Sequence, residues 1–271
     1  MKKLILIGGN RDGQSGPLRS FAQMAQARGI AVEVVSEPWH LAMAAKDGVT
    51  LEAALNEAAI PLRCLEKISA ESFKDQACED SVCLLVNAIW FIKQDIIDLF
   101  PGRIFNYHNA LLPQERGAAA YSWKILSGTR MGGLSIHEVV EELDQGRVVF
   151  AHAVEFPDSA RHSMDFYKHI EAIEPQFFSD FLTHLEAATL PEKRLQDEAL
   201  SLYWPRLNSD VHGYIDWNWQ ARDIEAFSNA FDEPHPGASS FLDGVRFRLK
   251  GCCLSDESID FHPFQAGIDV L

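Results

Sequence analysis

Residues 105–117 read FNYHNALLPQERG, and within them an Asn and a His stand two apart, at positions 106 and 108. If the run is extended, side chains alternate, so Asn106 and His108 share one face. A carboxamide N–H on that face can donate to a carbonyl oxygen that gains negative charge during an addition. An imidazole beside it can take or give a proton near neutral pH. A carboxylate close to the ring would orient it and favour its protonated form, and Asp144 in EELDQG is the candidate. The residues alone leave a plainer alternative open. An Asn-x-His pair also serves as a hydrogen-bonded strand end, and Asp144-Gln145-Gly146 as a turn between strands. The chain offers no compact set of ligands for a metal, and none is expected.

These side chains need elements to position them. Residues 3–9, KLILIGG, form a continuous apolar run ending in glycine, which predicts a parallel strand covered on both faces. Helical spacing with a terminal Gly follows at 17–29, a second strand at 30–36, a helix at 51–59 and a buried strand at 81–88. A short helix at 93–100 is stopped by Pro101-Gly102, and 103–108 is again a strand. That places Asn106 and His108 at the carboxyl end of a parallel strand, where open α/β sheets form their ligand sites. Residues 116–128 read as helix, 132–140 and 146–156 as a strand pair, and roughly 161–186 as a long helix. A polar stretch at 186–208 leads to GYIDW, a helix near 220–231, a Pro/Gly turn and SFLDGVRFRLKGCCL. The expected fold is α/β: a doubly wound, mostly parallel Rossmann-like sheet with a small C-terminal α+β module. The expected boundaries are 1–186 for a catalytic domain, 187–200 for a connector and 201–271 for the module.

Composition narrows the class. Of 271 residues 47% are hydrophobic, enough for a sizeable core. The formal net charge is −15, so the global field opposes polyanions, and nucleic acid is an unfavoured partner. The five cysteines are odd in number and none are spaced as CxxC, which suits reduced thiols in a cytoplasmic protein; Cys252-Cys253 reads as strand packing. MKKLILIGGN lacks the longer apolar region of a secretion signal, and no apolar run approaches a bilayer span.

The stretch FNYHNALLPQERGAAAYSWKILSGTRMGGLSIHEVVEELDQGRVVF resembles the signature of the folate-dependent formyltransferases. That family carries Asn-x-His-x-x-Leu-Leu-Pro, Arg-Gly, a Trp in the next helix, Gly-x-(Thr/Ser)-x-His and Asp-x-Gly. The matching positions are Asn106, His108, Leu111, Leu112, Pro113, Arg116, Gly117, Trp123, Gly133, Ser135, His137, Asp144 and Gly146. Two departures are Ala110, where Ser is common, and Ala120, where Pro is common.

The resemblance implies transfer of a formyl group from N10-formyltetrahydrofolate to a primary amine. It implies that Asn106 holds the formyl oxygen, that His108 moves protons and helps stabilise the tetrahedral intermediate, and that Asp144 sets the His and orders a water. By position it puts the pterin against Trp90, Phe91 and Ile92 and against Val140, Glu141, Glu142 and Leu143. His137 is expected in a core or supporting place. Residues past 200 are similar to the C-terminal module of members acting on transfer RNA or on nucleotide-linked amino sugars. The charge of −15 favours the second class over methionyl-transfer-RNA formylation. A non-catalytic folate-binding protein is the remaining alternative.

Phosphates on such an acceptor need cations or backbone amides. The loop GGNRDGQSG at 8–16 fits neither GxGxxG nor a P-loop, yet it follows a strand and could line a crevice. Asn10, Arg11, Arg19, Arg116 and Lys124 are therefore candidate substrate contacts, and Trp204, Trp217 and Trp219 could stack a base or pack the module. A homodimer through the C-terminal module is compatible with the residues but not required by them.

Overall fold

The computed structural model describes residues 1–9, 16–45, 47–87 and 89–254. Its strands are β1 (Lys3–Gly8), β2 (Ala31–Ser36), β3 (Leu62–Cys64), β4 (Ser81–Val86), β5 (Ile104–His108), β6 (Arg116–Gly117), β7 (Met131–Glu138), β8 (Val148–Glu155), β9 (Tyr203–Trp204), β10 (Ala238–Leu242) and β11 (Val245–Leu249). Its α-helices are α1 (Pro17–Ala27), α2 (Pro38–Ala42), α3 (Leu51–Glu57), α4 (Gln94–Ile97), α5 (Ala120–Ser127), α6 (Ser163–Ala187), α7 (Ser209–His212) and α8 (Ala221–Ala230).

Seven strands form one sheet in the order β3-β2-β1-β4-β5-β7-β8. The first five run parallel, and β7 and β8 add antiparallel. Strand alternation splits the apolar runs between two cores. Leu4, Leu6, Val34 and Leu84 face a cluster filled by Phe21 of α1 and by Phe178 and Phe181 of α6. Ile5, Ile7, Val35 and Leu85 face a second cluster with Phe73, Ile96 and Phe100. Covering both faces is what makes Leu4 to Ile7 of β1 a run with no polar positions. Phe21 and Phe178 stack with centroids 3.9 Å apart, which fixes α6 across α1.

The chain order reverses between β1 and β4, so the crevice at that switch opens beside the carboxyl end of β5. The C-terminal module rests on α5. Ala230, Phe231 and Ala238 pack with Ile125 and Leu126, and the Ser122 hydroxyl donates to the Ala230 carbonyl at 2.7 Å. Trp123 stacks on Trp204 at 5.1 Å, Trp219 meets Phe227 edge-on, and the Trp217 indole N–H donates to Ser240. All three candidate stacking tryptophans therefore have protein partners.

Three local expectations need correction. Arg116–Gly117 is not the start of a helix but a short strand paired in parallel with Tyr203–Trp204. Gly117 has φ 97°, and a Cβ there would lie 2.3 Å from the Trp204 carbonyl oxygen, so the pairing and the helical conformation exclude each other at this residue. The polar stretch at 186–208 does more than link two parts: it contains β9, and its Gln196 side chain donates to the Asp144 and Gly146 carbonyls. Cys252 and Cys253 lie beyond the end of β11, and Cys253 is exposed, so they are not strand packing.

Candidate active site

Asn106 and His108 lie half-buried on β5, with Tyr107 between them turned into the core. The register of β5 against β7 sets what each polar residue meets. Asn106 is paired directly with His137, and His108 with Ser135. The Asn106 amide nitrogen is 3.0 Å from His137 Nε2. The other ring nitrogen of His137, Nδ1, is 2.8 Å from the Glu138 carbonyl oxygen. A carbonyl only accepts, so Nδ1 carries hydrogen, and in the neutral ring Nε2 accepts from Asn106. One amide hydrogen of Asn106 is thereby fixed and the other is left for a ligand.

Asp144 is 5% exposed at the turn after β7. Its backbone is left-handed, φ 57°, a conformation an Asp tolerates at a cost of about 1 kcal/mol. One carboxylate oxygen accepts from the Gly117 N–H at 2.8 Å, and the other lies 3.6 Å from His137 Nε2. Burial opposes ionisation, but the neighbouring His137 and His108 imidazoles and the Gly117 N–H outweigh it and hold the carboxyl at about 2. Gly146 completes the turn, since a Cβ there would meet the Glu138 carbonyl oxygen at 1.8 Å.

The His108 imidazole donates from Nε2 to the Glu115 carbonyl at 2.6 Å. Its lone pair in the neutral form therefore sits on Nδ1, which has no protein partner among the described residues. Burial lowers its pKa from the ordinary histidine value, and His137 adds to this while Asp144 opposes it. At neutral pH the ring is a base with an open nitrogen. The loop that follows is tied to the same strands. Ser135 donates to the Ala110 carbonyl at 2.8 Å and accepts from the Leu112 N–H at 3.2 Å. The Glu115 carboxylate accepts from the Leu111 N–H at 2.8 Å and pairs with Lys124.

The structure brings Asn106, His108 and Asp144 to one end of β5, and His137 is the group that joins two of them. The carboxylate expected beside His108 lies closer to His137, 3.6 Å from its Nε2, and acts on His108 through charge. The signal was present in the Gly-x-Ser-x-His run. His137 is four residues past Gly133, and the antiparallel register that sets it opposite Asn106 is what the sequence does not display.

The segments 90–92 and 139–143 share the second core. Ile92 and Val139 are buried in it and Trp90 packs against it. Phe91, Val140 and Leu143 remain exposed, Phe91 by 82%. Glu141 and Glu142 point to solvent, and the backbone N–H groups of 140–143 have no protein acceptor among the described residues. An apolar surface beside unpaired backbone donors fits a flat heteroaromatic group with a polar edge.

The candidate cations divide. Arg19 is paired with Asp47 at 3.0 Å near the start of α1. Arg116 is buried, with its guanidinium on both oxygens of Glu198. Lys124 is 2% exposed and is held by Glu115 and by the Met131 carbonyl at 2.7 Å, away from any solvent-facing ligand. Asn10 and Arg11 lie outside the described residues.

The family model described as "Formyl transferase" matches residues 15–182, and "Formyl transferase, C-terminal domain" matches 209–267. The chain belongs to the formyl transferase family. Methionyl-tRNA formyltransferase of Ruminiclostridium cellulolyticum is 30% identical over 192 residues, covering 70% of this chain and 60% of that protein. The chain thus spans about three fifths of that relative's length. Two solved structures share the fold with a TM-score of 0.69 and 16% identity. One is an N-formyltransferase of Helicobacter canadensis in complex with folinic acid and dTDP-3-aminofucose, covering 85% of this chain and 81% of its own. The other is a sugar N-formyltransferase of a Shewanella species, covering 92% and 97%. No helix among the described residues is long and apolar enough to cross a membrane.

Proposed function

We propose that the protein transfers the formyl group of N10-formyltetrahydrofolate to a primary amine of a small substrate, a nucleotide-linked amino sugar. One observation carries this reading: Asn106, His108 and Asp144 converge at the mouth of the sheet with an open donor, an open base and an ionised carboxylate. The free amide hydrogen of Asn106 holds the formyl oxygen as it gains charge. The attacking amine adds to the formyl carbon and His108 takes its proton through Nδ1; the tetrahedral intermediate then collapses, the bond from the formyl carbon to the folate nitrogen breaks, and His108 returns a proton to that nitrogen. Asp144 stays ionised and supports the imidazoles. Phe91, Val140, Leu143 and the backbone of 140–143 hold the pterin. In this reading residues 1–186 carry catalysis and 201–271 form the accessory module, in a cytoplasmic protein.

Two observations support a small acceptor. The net charge of −15 disfavours RNA, and one structural neighbour binds dTDP-3-aminofucose. The test is a panel of nucleotide-linked amino sugars incubated with N10-formyltetrahydrofolate and read by mass for gain of one formyl group. A second reading, methionyl-tRNA formylation, is favoured by the name of the sequence relative. It requires formylation of charged initiator tRNA with an affinity that falls steeply with salt. Formylation of the tRNA with none of any sugar would replace the first reading by the second. No transfer to either would leave the folate-binding alternative.

A further inference from the structure

The stretch 183–208 lies outside both family matches, yet part of it builds the candidate site. Arg194 exchanges two backbone hydrogen bonds of 2.9 Å with Val148. Two residues on, the Gln196 carboxamide spends both its hydrogens on the Asp144 turn and accepts from Arg116. Its nitrogen donates to the carbonyls of Asp144 and Gly146, both at 2.7 Å, and its oxygen accepts from Arg116 Nε at 2.9 Å. Arg116 in turn precedes Gly117, whose N–H holds the Asp144 carboxylate. One side chain therefore grips both halves of the carboxylate's setting: the left-handed turn that carries it and the short strand that receives it.

We propose that Gln196 is a positioning residue that fixes the Asp144 carboxylate relative to His137 and His108. The chemistry demands an amide at this place. Two carbonyls need two donors and the guanidinium needs an acceptor, so a carboxylate would face two carbonyl oxygens unpaired, and an apolar side chain would release the turn. Without the grip the strained Asp144 backbone has an outlet, and a displacement near 1 Å is enough to cost about a hundredfold in rate. The proposal rests on the formyl-transfer reading for its kinetic consequence but not for its geometric one.

The experiment compares the wild type with Gln196→Ala, Gln196→Glu and a control, Leu195→Ala, whose side chain is 84% exposed in the same segment. Thermal unfolding first confirms that each variant is folded. The titration of the His108 imidazole is then followed by NMR without substrate, and steady-state kinetics are measured on whichever amine the wild type formylates. Gln196→Ala is expected to lower the midpoint of His108, because the carboxylate that raises it has moved away, whereas Gln196→Glu brings a charge of its own and is read by kinetics. Both Gln196 variants are expected to lower kcat about ten- to a hundredfold with both KM values within about twofold, while Leu195→Ala matches the wild type. An unchanged His108 midpoint in folded Gln196→Ala overturns the proposal, as does an equal effect in Leu195→Ala. If the wild type formylates nothing, the functional reading fails while the titration still decides the role of Gln196.

Discussion

Asn106 and His137 oppose each other across antiparallel strands, with the amide nitrogen 3.0 Å from the ring nitrogen. The contact makes the orientation of a carboxamide depend on the tautomer of an imidazole. With Nε2 bare, Asn106 must turn its NH₂ inward, and its remaining hydrogen points toward the site. Replacing the ring by His137→Ala frees the amide to present either end. The expected result is a kcat reduced about ten- to a hundredfold with little change in KM for the folate. A His137→Ala enzyme with undiminished kcat would show that Asn106 is oriented by other means.

The Asp144–His108 coupling has a sign that kinetics can read. Asp144 raises the His108 pKa against the larger effect of burial. Asp144→Asn removes that support, so the pKa of His108 falls further. The acid limb of kcat/KM should move to lower pH while the maximal rate drops by about 10²–10⁴. A limb that moves to higher pH, or stays in place with full activity, would contradict the coupling. The carboxylate itself also contributes to stability. Its folded pKa, about 2, lies below the ordinary Asp value, so that contribution is present above pH 4 and is lost as pH falls towards 2.

Much of this arrangement could be read from the sequence because it rests on local patterns. The run KLILIGG announces a strand buried on both faces, and Asn106 and His108 share a face by simple alternation. Lys124 shows where such reading ends. Its cation sits in a helix beside the motif, a reasonable phosphate contact on paper, and only the packing of α5 against the 109–117 loop turns it inward to Glu115. Gln196 shows the same limit from the other side. Nothing in a polar stretch 52 residues beyond Asp144 signals a contact with its backbone, because that contact depends on how the chain returns after α6.

The buried Lys124–Glu115 pair gives a prediction that separates structure from binding. Glu115 holds His108 through its carbonyl and the Leu111 N–H through its carboxylate. Lys124→Met leaves that carboxylate unpaired and buried, which should destabilise the fold by about 3–5 kcal/mol in urea unfolding. Adding Glu115→Gln removes the stranded charge and should recover most of the loss. A Lys124→Met protein of normal stability but with a raised KM for the acceptor would instead make the ammonium a substrate contact.

Glu174 supplies a test of pH-dependent stability away from the chemistry. It sits on α6 with the Tyr107 hydroxyl donating to its carboxylate. Burial raises its pKa to about 7; Tyr107 opposes the shift and Glu171 adds to it. The folded pKa is above the unfolded value of about 4.5, so between these values the folded state binds the proton and the unfolded state does not. The contribution of this group is full below pH 4.5 and is lost as pH rises to 7. The span amounts to about 3 kcal/mol at most. Glu174→Gln keeps an acceptor for Tyr107 and has no proton to release. The variant should therefore gain on the wild type between pH 5 and pH 8 when both are unfolded in denaturant. Parallel stability curves for the two proteins over that range would show that the carboxyl titrates normally and is not desolvated by α6.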